Sequence, residues 1–165
     1  MLETLGLAFV VFLGTVAGAF IGKYTPEEQT LARPYLLFLQ KFLLVVFVLF
    51  VLVLLSSSYV LFGLGIILGY LLAFVLEDAF YLGILFVLTF VSFERYLLFV
   101  SVLEFIYGFP YGVFQPSQLK KLLYLGGLFF LPFLLYFVPG TLAISFFLGV
   151  VAGGFMKRLL MRKEK

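Results

Sequence analysis

The chain has 165 residues, of which 65% are hydrophobic and only 12% charged, and its formal net charge is +3. It contains no His, Cys, Trp or Asn and a single Asp, Asp78. These absences exclude imidazole and thiolate metal sites, haem held by His or Cys, and Ser–His–Asp or Cys–His catalysis. We therefore expect no cofactor and no metal, and enzymatic activity only if it relied on Glu, Lys, Tyr or Ser.

The apolar stretches are too long for a water-soluble core. Between Lys41 and Glu77 there are 35 residues without a charged side chain, and about 20 apolar residues are enough for a helix to cross a bilayer. The sequence therefore predicts an all-α, polytopic integral membrane helical bundle. We expect six or seven transmembrane helices, a single transmembrane domain over residues 1–165 and no soluble domain.

The first half of the chain divides into three predicted spans, residues 2–22, 35–55 and 59–76. In the polar connection after the first span, Thr25 followed by Pro26 is typical of a helix start, and Pro34 should break or kink the short helix that begins there. Ser56–Ser58 predicts a turn before the third span. Glu77 closes that span, and Asp78 is placed to cap the next helix.

The second half is ambiguous between residues 79 and 114. One long helix over 79–107 would measure roughly 43 Å, which exceeds a ~30 Å hydrocarbon core. Two spans, 79–93 and 96–114, would leave the first span short, and the segment Gly108–Gly112 predicts a helix break. The remaining spans are 122–138, with a kink expected at Pro132, and 141–156, followed by a basic cytoplasmic tail over 157–165.

The distribution of basic residues distinguishes a six-span from a seven-span arrangement. With seven spans, ten of the eleven basic residues lie on one side and only Arg95 on the other, as the positive-inside rule requires of a cytoplasmic side. With six spans, Lys23, Arg33 and Lys41 move outside. We therefore prefer seven spans in the cell membrane, an external N-terminus and a cytoplasmic C-terminus, although span length favours six.

Glycines recur at four-residue spacing in three predicted spans. Such rows let two helix backbones approach closely in lipid, so we expect them to serve mainly in internal packing. A homo-oligomer face or a face for a partner membrane subunit is the alternative. Besides the lipid bilayer we expect no nucleic-acid partner, because the basic tail is too short to form a separate domain. The rows are Gly14, Gly18 and Gly22; Gly65 and Gly69; and Gly149 and Gly153.

Charged side chains inside apolar segments are costly in lipid and indicate a polar cavity, a relay or a partner. Glu94, Arg95 and Glu104 are such residues, and on one continuous helix Glu94, Ser101 and Glu104 would share a face. We name Glu94, Arg95, Ser101 and Glu104 as the candidate polar path. If the segment is two spans, Glu94 and Arg95 instead form an external turn.

Two functions fit this pattern. The first is a transporter or membrane-embedded permease subunit that moves a small solute or ion, and it relies on the intramembrane carboxylates and glycine-lined spans. The second is a non-transporting membrane subunit or assembly factor that binds other transmembrane helices through its glycine faces. The sequence resembles no family whose motifs could decide between them.

Overall fold

A computed structural model describes residues 2–54, 58–115, 118–137 and 141–160, and every element within these ranges is helical, as predicted. The 3₁₀ segments are Glu94–Tyr96 and Leu131–Phe137. The α-helices in chain order are α1 (Leu2–Tyr24), α2 (Pro26–Leu54), α3 (Tyr59–Leu72), α4 (Asp78–Ser92), α5 (Leu97–Val113), α6 (Leu119–Phe130) and α7 (Thr141–Leu160).

Four helical segments of the described ranges are long and apolar enough to cross a membrane: Glu3–Tyr24, Glu27–Leu54, Glu94–Val113 and Ala143–Leu160. Helices α3 and α4 are shorter and also apolar. Large apolar side chains cover the outside of the bundle, for example Val53 at 76% exposure and Leu64 at 54%. Such a surface suits lipid rather than water, which supports the predicted membrane character.

Residues 79–114 form two helices rather than one. Helix α4 ends at Ser92, the 3₁₀ turn follows, and α5 begins at Leu97. The start of α4 contacts the far part of α5, where the Tyr107 hydroxyl donates a hydrogen bond to Asp78, so the two helices run antiparallel. The single-helix alternative over 79–107 is therefore wrong.

The predicted break at Gly108–Gly112 is also wrong, because α5 continues through Pro110 to Val113. Gly108 and Gly112 pack directly against α1 at Thr15. This close packing explains why the helix persists even though Pro110 cannot donate its backbone hydrogen bond. Pro34 likewise lies inside a continuous α2 and does not end it.

Helix boundaries differ from the predictions in smaller ways. Helix α2 begins at Pro26 as expected, but α3 ends at Leu72 rather than at 76. Asp78 does not cap α4, because Glu77 occupies the N-cap position and makes no side-chain cap hydrogen bond. At Leu131 the α-helix changes to a 3₁₀ helix, and the kink expected at Pro132 stays a prediction. Parts of three predicted features lie outside the described ranges. They are residues 55–57 of the segment with the Ser56–Ser58 turn, residues 138–140 of the last interhelical connection, and residues 161–165 of the basic tail.

The glycine rows join helices of the same chain in two pairs. Along α1, a Cβ at Gly14, Gly18 and Gly22 would meet the backbone of Phe105, Phe109 and Val113 on α5. Residue numbers rise together on both helices, so α1 and α5 are parallel. Helices α3 and α7 pair in the same way: Gly65 and Gly69 meet the backbone of Phe146 and Val150, while Gly149 and Gly153 meet that of Phe62 and Ile66.

Helix α4 lies at the centre of the bundle. Every residue from Tyr81 to Thr89 is buried, whereas the other described helices expose apolar faces. Aromatic contacts join α4 to its neighbours, for example Phe86 to Phe129 of α6 and Tyr81 to Phe155 of α7. This arrangement carries the polar residues at the start of α4 into the interior of the bundle.

Candidate functional site

A group of charged and tyrosine side chains lies where α4 begins. Five helices contribute to it: Gln40 comes from α2, the carboxylates from the start of α4, the tyrosines from α5, Lys121 from α6 and Arg158 from α7. We call this group the charged cluster; it consists of Gln40, Glu77, Asp78, Tyr107, Tyr111, Lys121 and Arg158.

Asp78 is the most buried acid of the cluster, with 5% of its surface exposed. Its Oδ2 accepts a hydrogen bond of 2.7 Å from the Tyr107 hydroxyl, which itself accepts one of 3.1 Å from Gln40 Nε2. Its Oδ1 lies 2.6 Å from Arg158 Nε, although the N–H does not point at the oxygen and the contact is an ion pair without a hydrogen bond. A buried carboxylate needs this compensation, since losing one partner of a buried pair costs about 3–5 kcal/mol.

Arg158 also holds the turn that follows α3. Its guanidinium donates a 2.8 Å hydrogen bond to the carbonyl oxygen of Leu76, a backbone acceptor just beyond the helix. One side chain of α7 thus holds both the turn between α3 and α4 and the first residue of α4.

Glu77 forms the second, more exposed ion pair. Its Oε1 accepts a 2.7 Å hydrogen bond from Lys121 Nζ and its Oε2 a 3.1 Å hydrogen bond from the Tyr111 hydroxyl. Burial by itself raises the pKa of the Glu77 carboxyl, but the hydrogen bond and charge of Lys121, helped by Tyr111 and Arg158, outweigh it, so the pKa lies below its ordinary value. Glu77 is therefore the ionised end of the cluster, and it is more exposed than Asp78.

The first two residues of the predicted basic tail belong to this end of the bundle instead. Lys157 and Arg158 lie in α7. Lys157 Nζ is 2.8 Å from the centroid of the Phe74 ring, a cation–π contact, and Arg158 pairs with Asp78.

The four residues of the candidate polar path differ in exposure. Glu94 and Arg95 are exposed in the 3₁₀ turn, and Arg95 lies over the ring of Tyr96. Ser101 and Glu104 are buried on α5, where Ser101 donates a hydrogen bond to the Leu97 carbonyl. All four residues follow the helix end at Phe93 and lie in one helical segment, Glu94–Val113, but the first two are exposed and the last two are buried, so a polar path through all four stays a prediction.

Glu104 remains a candidate by itself. Only 1% of its surface is exposed, and neither carboxyl oxygen has a hydrogen-bond partner among the described residues. No group of three or more acidic, His or Cys side chains that could hold a metal occurs in the described part of the chain.

The charged cluster is absent from the sequence predictions because each of its members also has a local interpretation. Glu77 and Asp78 fit a helix end and its cap, and Lys121 and Arg158 fit orientation signals. One signal could have found the cluster: in the seven-span arrangement the ends of α3, α5 and α7 and the starts of α4 and α6 meet on the same side, which brings these opposite charges together.

Comparison with known proteins adds no further assignment. The chain matches no protein-family model, no curated protein and no solved structure.

Proposed function

We propose that this protein is a multi-spanning cell-membrane transport protein for a small solute or ion, and that the charged cluster closes its path at the cytoplasmic end. The observation that carries the proposal is the burial of Asp78 with Arg158 and Tyr107 among apolar helices. Charged side chains in such surroundings are costly and by default mark a pathway or a relay. If these positions served only to pack the helices, apolar residues would fill them at a lower cost in folding free energy.

Seven crossings with a cytoplasmic C-terminus are part of the proposal. The parallel pairs α1–α5 and α3–α7 and the antiparallel pair α4–α5 fit seven helices that alternate in direction. In that arrangement all basic residues except Arg95 lie on the side of the charged cluster, which the positive-inside rule makes cytoplasmic.

Short helices explain why charges enter the bundle at all. Helix α3 has 14 residues and α4 has 15, which gives lengths of roughly 21 Å and 22 Å, less than the ~30 Å hydrocarbon core. The turn that joins them is therefore recessed from the membrane surface. Tyr111, Lys121 and Arg158 hold this recessed turn in place, as a cytoplasmic gate in its closed state would require.

The alternative, a non-transporting subunit that binds partner helices through its glycine faces, has less support. The rows on α1, α3 and α7 are in contact with α5, α7 and α3 of the same chain, so these glycines do not offer a free surface. Partner binding through other faces stays a prediction.

Orientation can be tested with reporters that work only in the cytoplasm. A reporter at the C-terminus should be active and the same reporter at the N-terminus inactive. Activity at both ends would mean an even number of crossings and would refute the seven-span arrangement.

The gate can be tested with single cysteines, because the chain has none of its own. Ser101 is 3% exposed and its neighbour Val102 is 50% exposed, so Ser101→Cys reports on the interior and Val102→Cys on the lipid face at the same depth. A water-soluble, membrane-impermeant thiol reagent is applied from the cytoplasmic side of membrane vesicles.

Lys121→Glu places two carboxylates opposite each other and should open the gate, whereas the swap Lys121→Glu with Glu77→Lys restores the ion pair. We expect Ser101→Cys to be labelled several-fold faster in Lys121→Glu than in the parent or the swap, and Val102→Cys to stay unlabelled in all three. Equal labelling of Ser101→Cys in all three backgrounds would contradict the proposal.

A further inference from the structure

The described part of the bundle contains one buried acid without a partner. Glu104 is 1% exposed, and neither of its oxygens has a hydrogen-bond partner among the described residues. Asp78, the other buried acid, has both a tyrosine and an arginine. A carboxylate anion in the position of Glu104 would lack the compensation that a buried charge requires, so the geometry suits the neutral acid.

Glu104 is aligned with the charged cluster along α5. Tyr107 follows it by three residues and Tyr111 by seven, which places both within about 60° of its direction on the helix, with rises of about 4.5 Å and 10 Å. The rings of Tyr107 and Tyr111 stack at a centroid distance of 6.1 Å. Their hydroxyls donate hydrogen bonds to Asp78 and Glu77 respectively, so the two tyrosines connect the turns of α5 that follow Glu104 to both carboxylates of the charged cluster.

We infer that Glu104 is a proton-binding site in the membrane interior, reached from the cytoplasmic end through Tyr107 and Asp78. This inference rests on the proposed function and names the ion that it would use. On binding, a proton from water forms an O–H bond with a Glu104 oxygen; on release that bond breaks and the carboxylate returns, with no oxidation or reduction. A metal cation would need several oxygen ligands, and no cluster of three acidic side chains exists among the described residues.

The other titratable groups around α5 leave this role to Glu104. Helices α1, α2 and α4 and the 3₁₀ turn 94–96 pack against α5. All titratable side chains on α1 and α2 are exposed, and so are Glu94 and Arg95 in the turn, where Tyr96 is half-buried. The buried titratable groups that α4 contributes are Asp78, which is already paired, and Tyr81, whose hydroxyl donates to the Gly69 carbonyl.

Infrared spectroscopy of the protein in lipid vesicles at neutral pH tests the inference. The parent should show the C=O stretching band of a protonated carboxyl group, and this band should shift when the vesicles are transferred to D₂O. Glu104→Gln should remove the band, whereas Glu94→Gln, which changes an exposed carboxyl group, should keep it. Tyr107→Phe should slow the shift at least several-fold relative to Tyr59→Phe, a change at an exposed tyrosine.

A second measurement needs no variant. Dicyclohexylcarbodiimide is lipid-soluble and attaches to protonated carboxyl groups in apolar surroundings, and mass spectrometry should locate its adduct on Glu104 of the parent. An absent adduct, a band that does not depend on Glu104 or a band that never shifts in D₂O would each overturn the inference. The labelling of Ser101→Cys decides the gate independently, so failure of the proton site and failure of the proposed function can be told apart.

Discussion

Replacing Gly69 with Ala should separate α3 from α7. The added Cβ would overlap the carbonyl oxygen of Val150, a backbone atom that cannot rotate away. Gly63 lies on the same helix, and a Cβ added there would have no atom of another element within 4 Å. Gly63→Ala is therefore the matched control, because both substitutions gain the same helix preference of about 0.5–1 kcal/mol for Ala over Gly.

Since that gain is common to both variants, their difference reports the overlap alone. Overpacking a tight contact costs about 1–3 kcal/mol, and each kcal/mol shifts the melting temperature by about 2–4 °C for a chain of this size. We expect Gly69→Ala to melt about 2–12 °C below Gly63→Ala in detergent. Because the chain has no Trp to report on unfolding and no Cys to carry a label, far-UV circular dichroism is the suitable assay for the melting temperature. Equal melting temperatures would refute the backbone contact between α3 and α7.

Three further predictions concern single side chains. Tyr107→Phe removes a hydrogen bond to a buried carboxylate and should lower the free energy of unfolding by about 1–3 kcal/mol, whereas Tyr59→Phe, at an 82% exposed residue, should leave denaturant unfolding unchanged. Because the pKa of Glu77 is lowered in the folded protein, the ionised carboxylate contributes its full stabilisation above the ordinary pKa of 4.5. This stabilisation is lost as the pH falls through the folded-state pKa. The difference in melting temperature between the parent and Glu77→Gln should therefore shrink in acid, and a difference that grows would contradict the ion pair. Gly18→Leu should destabilise the protein far more than Val16→Leu, because a Cβ at Gly18 would overlap the Phe109 carbonyl; similar melting of both variants and the parent would mean that this row faces lipid.

Periodic features could be predicted from the sequence because they repeat locally. Apolar length alone indicated the helices, and the four-residue glycine spacing indicated close backbone contacts. In the structure Gly14, Gly65 and Gly149 lie against the backbone of other helices of the same chain. Helix boundaries near proline were less predictable, since packing of Gly108 and Gly112 on α1 keeps α5 helical through Pro110.

The charged cluster could not be predicted in the same way, because its members are far apart in the chain. Asp78 and Arg158 are 80 positions apart, and Glu77 and Lys121 are 44. Nothing local distinguishes a paired Arg158 from an orientation signal near the end of a span. Its position inside an apolar segment makes Glu104 a candidate from the sequence, but its burial without a partner depends on how α5 packs in the bundle.

Proton flux into vesicles tests the central claim most directly, namely that the charged cluster closes a proton path through Glu104. The parent, Lys121→Glu, and Lys121→Glu combined with Glu104→Gln are reconstituted in vesicles that enclose a pH-sensitive dye, and a potassium diffusion potential drives protons inward. We predict that Lys121→Glu acidifies the interior faster than the parent and that adding Glu104→Gln returns the rate to that of empty vesicles. Acidification by Lys121→Glu at the rate of empty vesicles, or a leak that persists without the Glu104 carboxyl, would contradict the account.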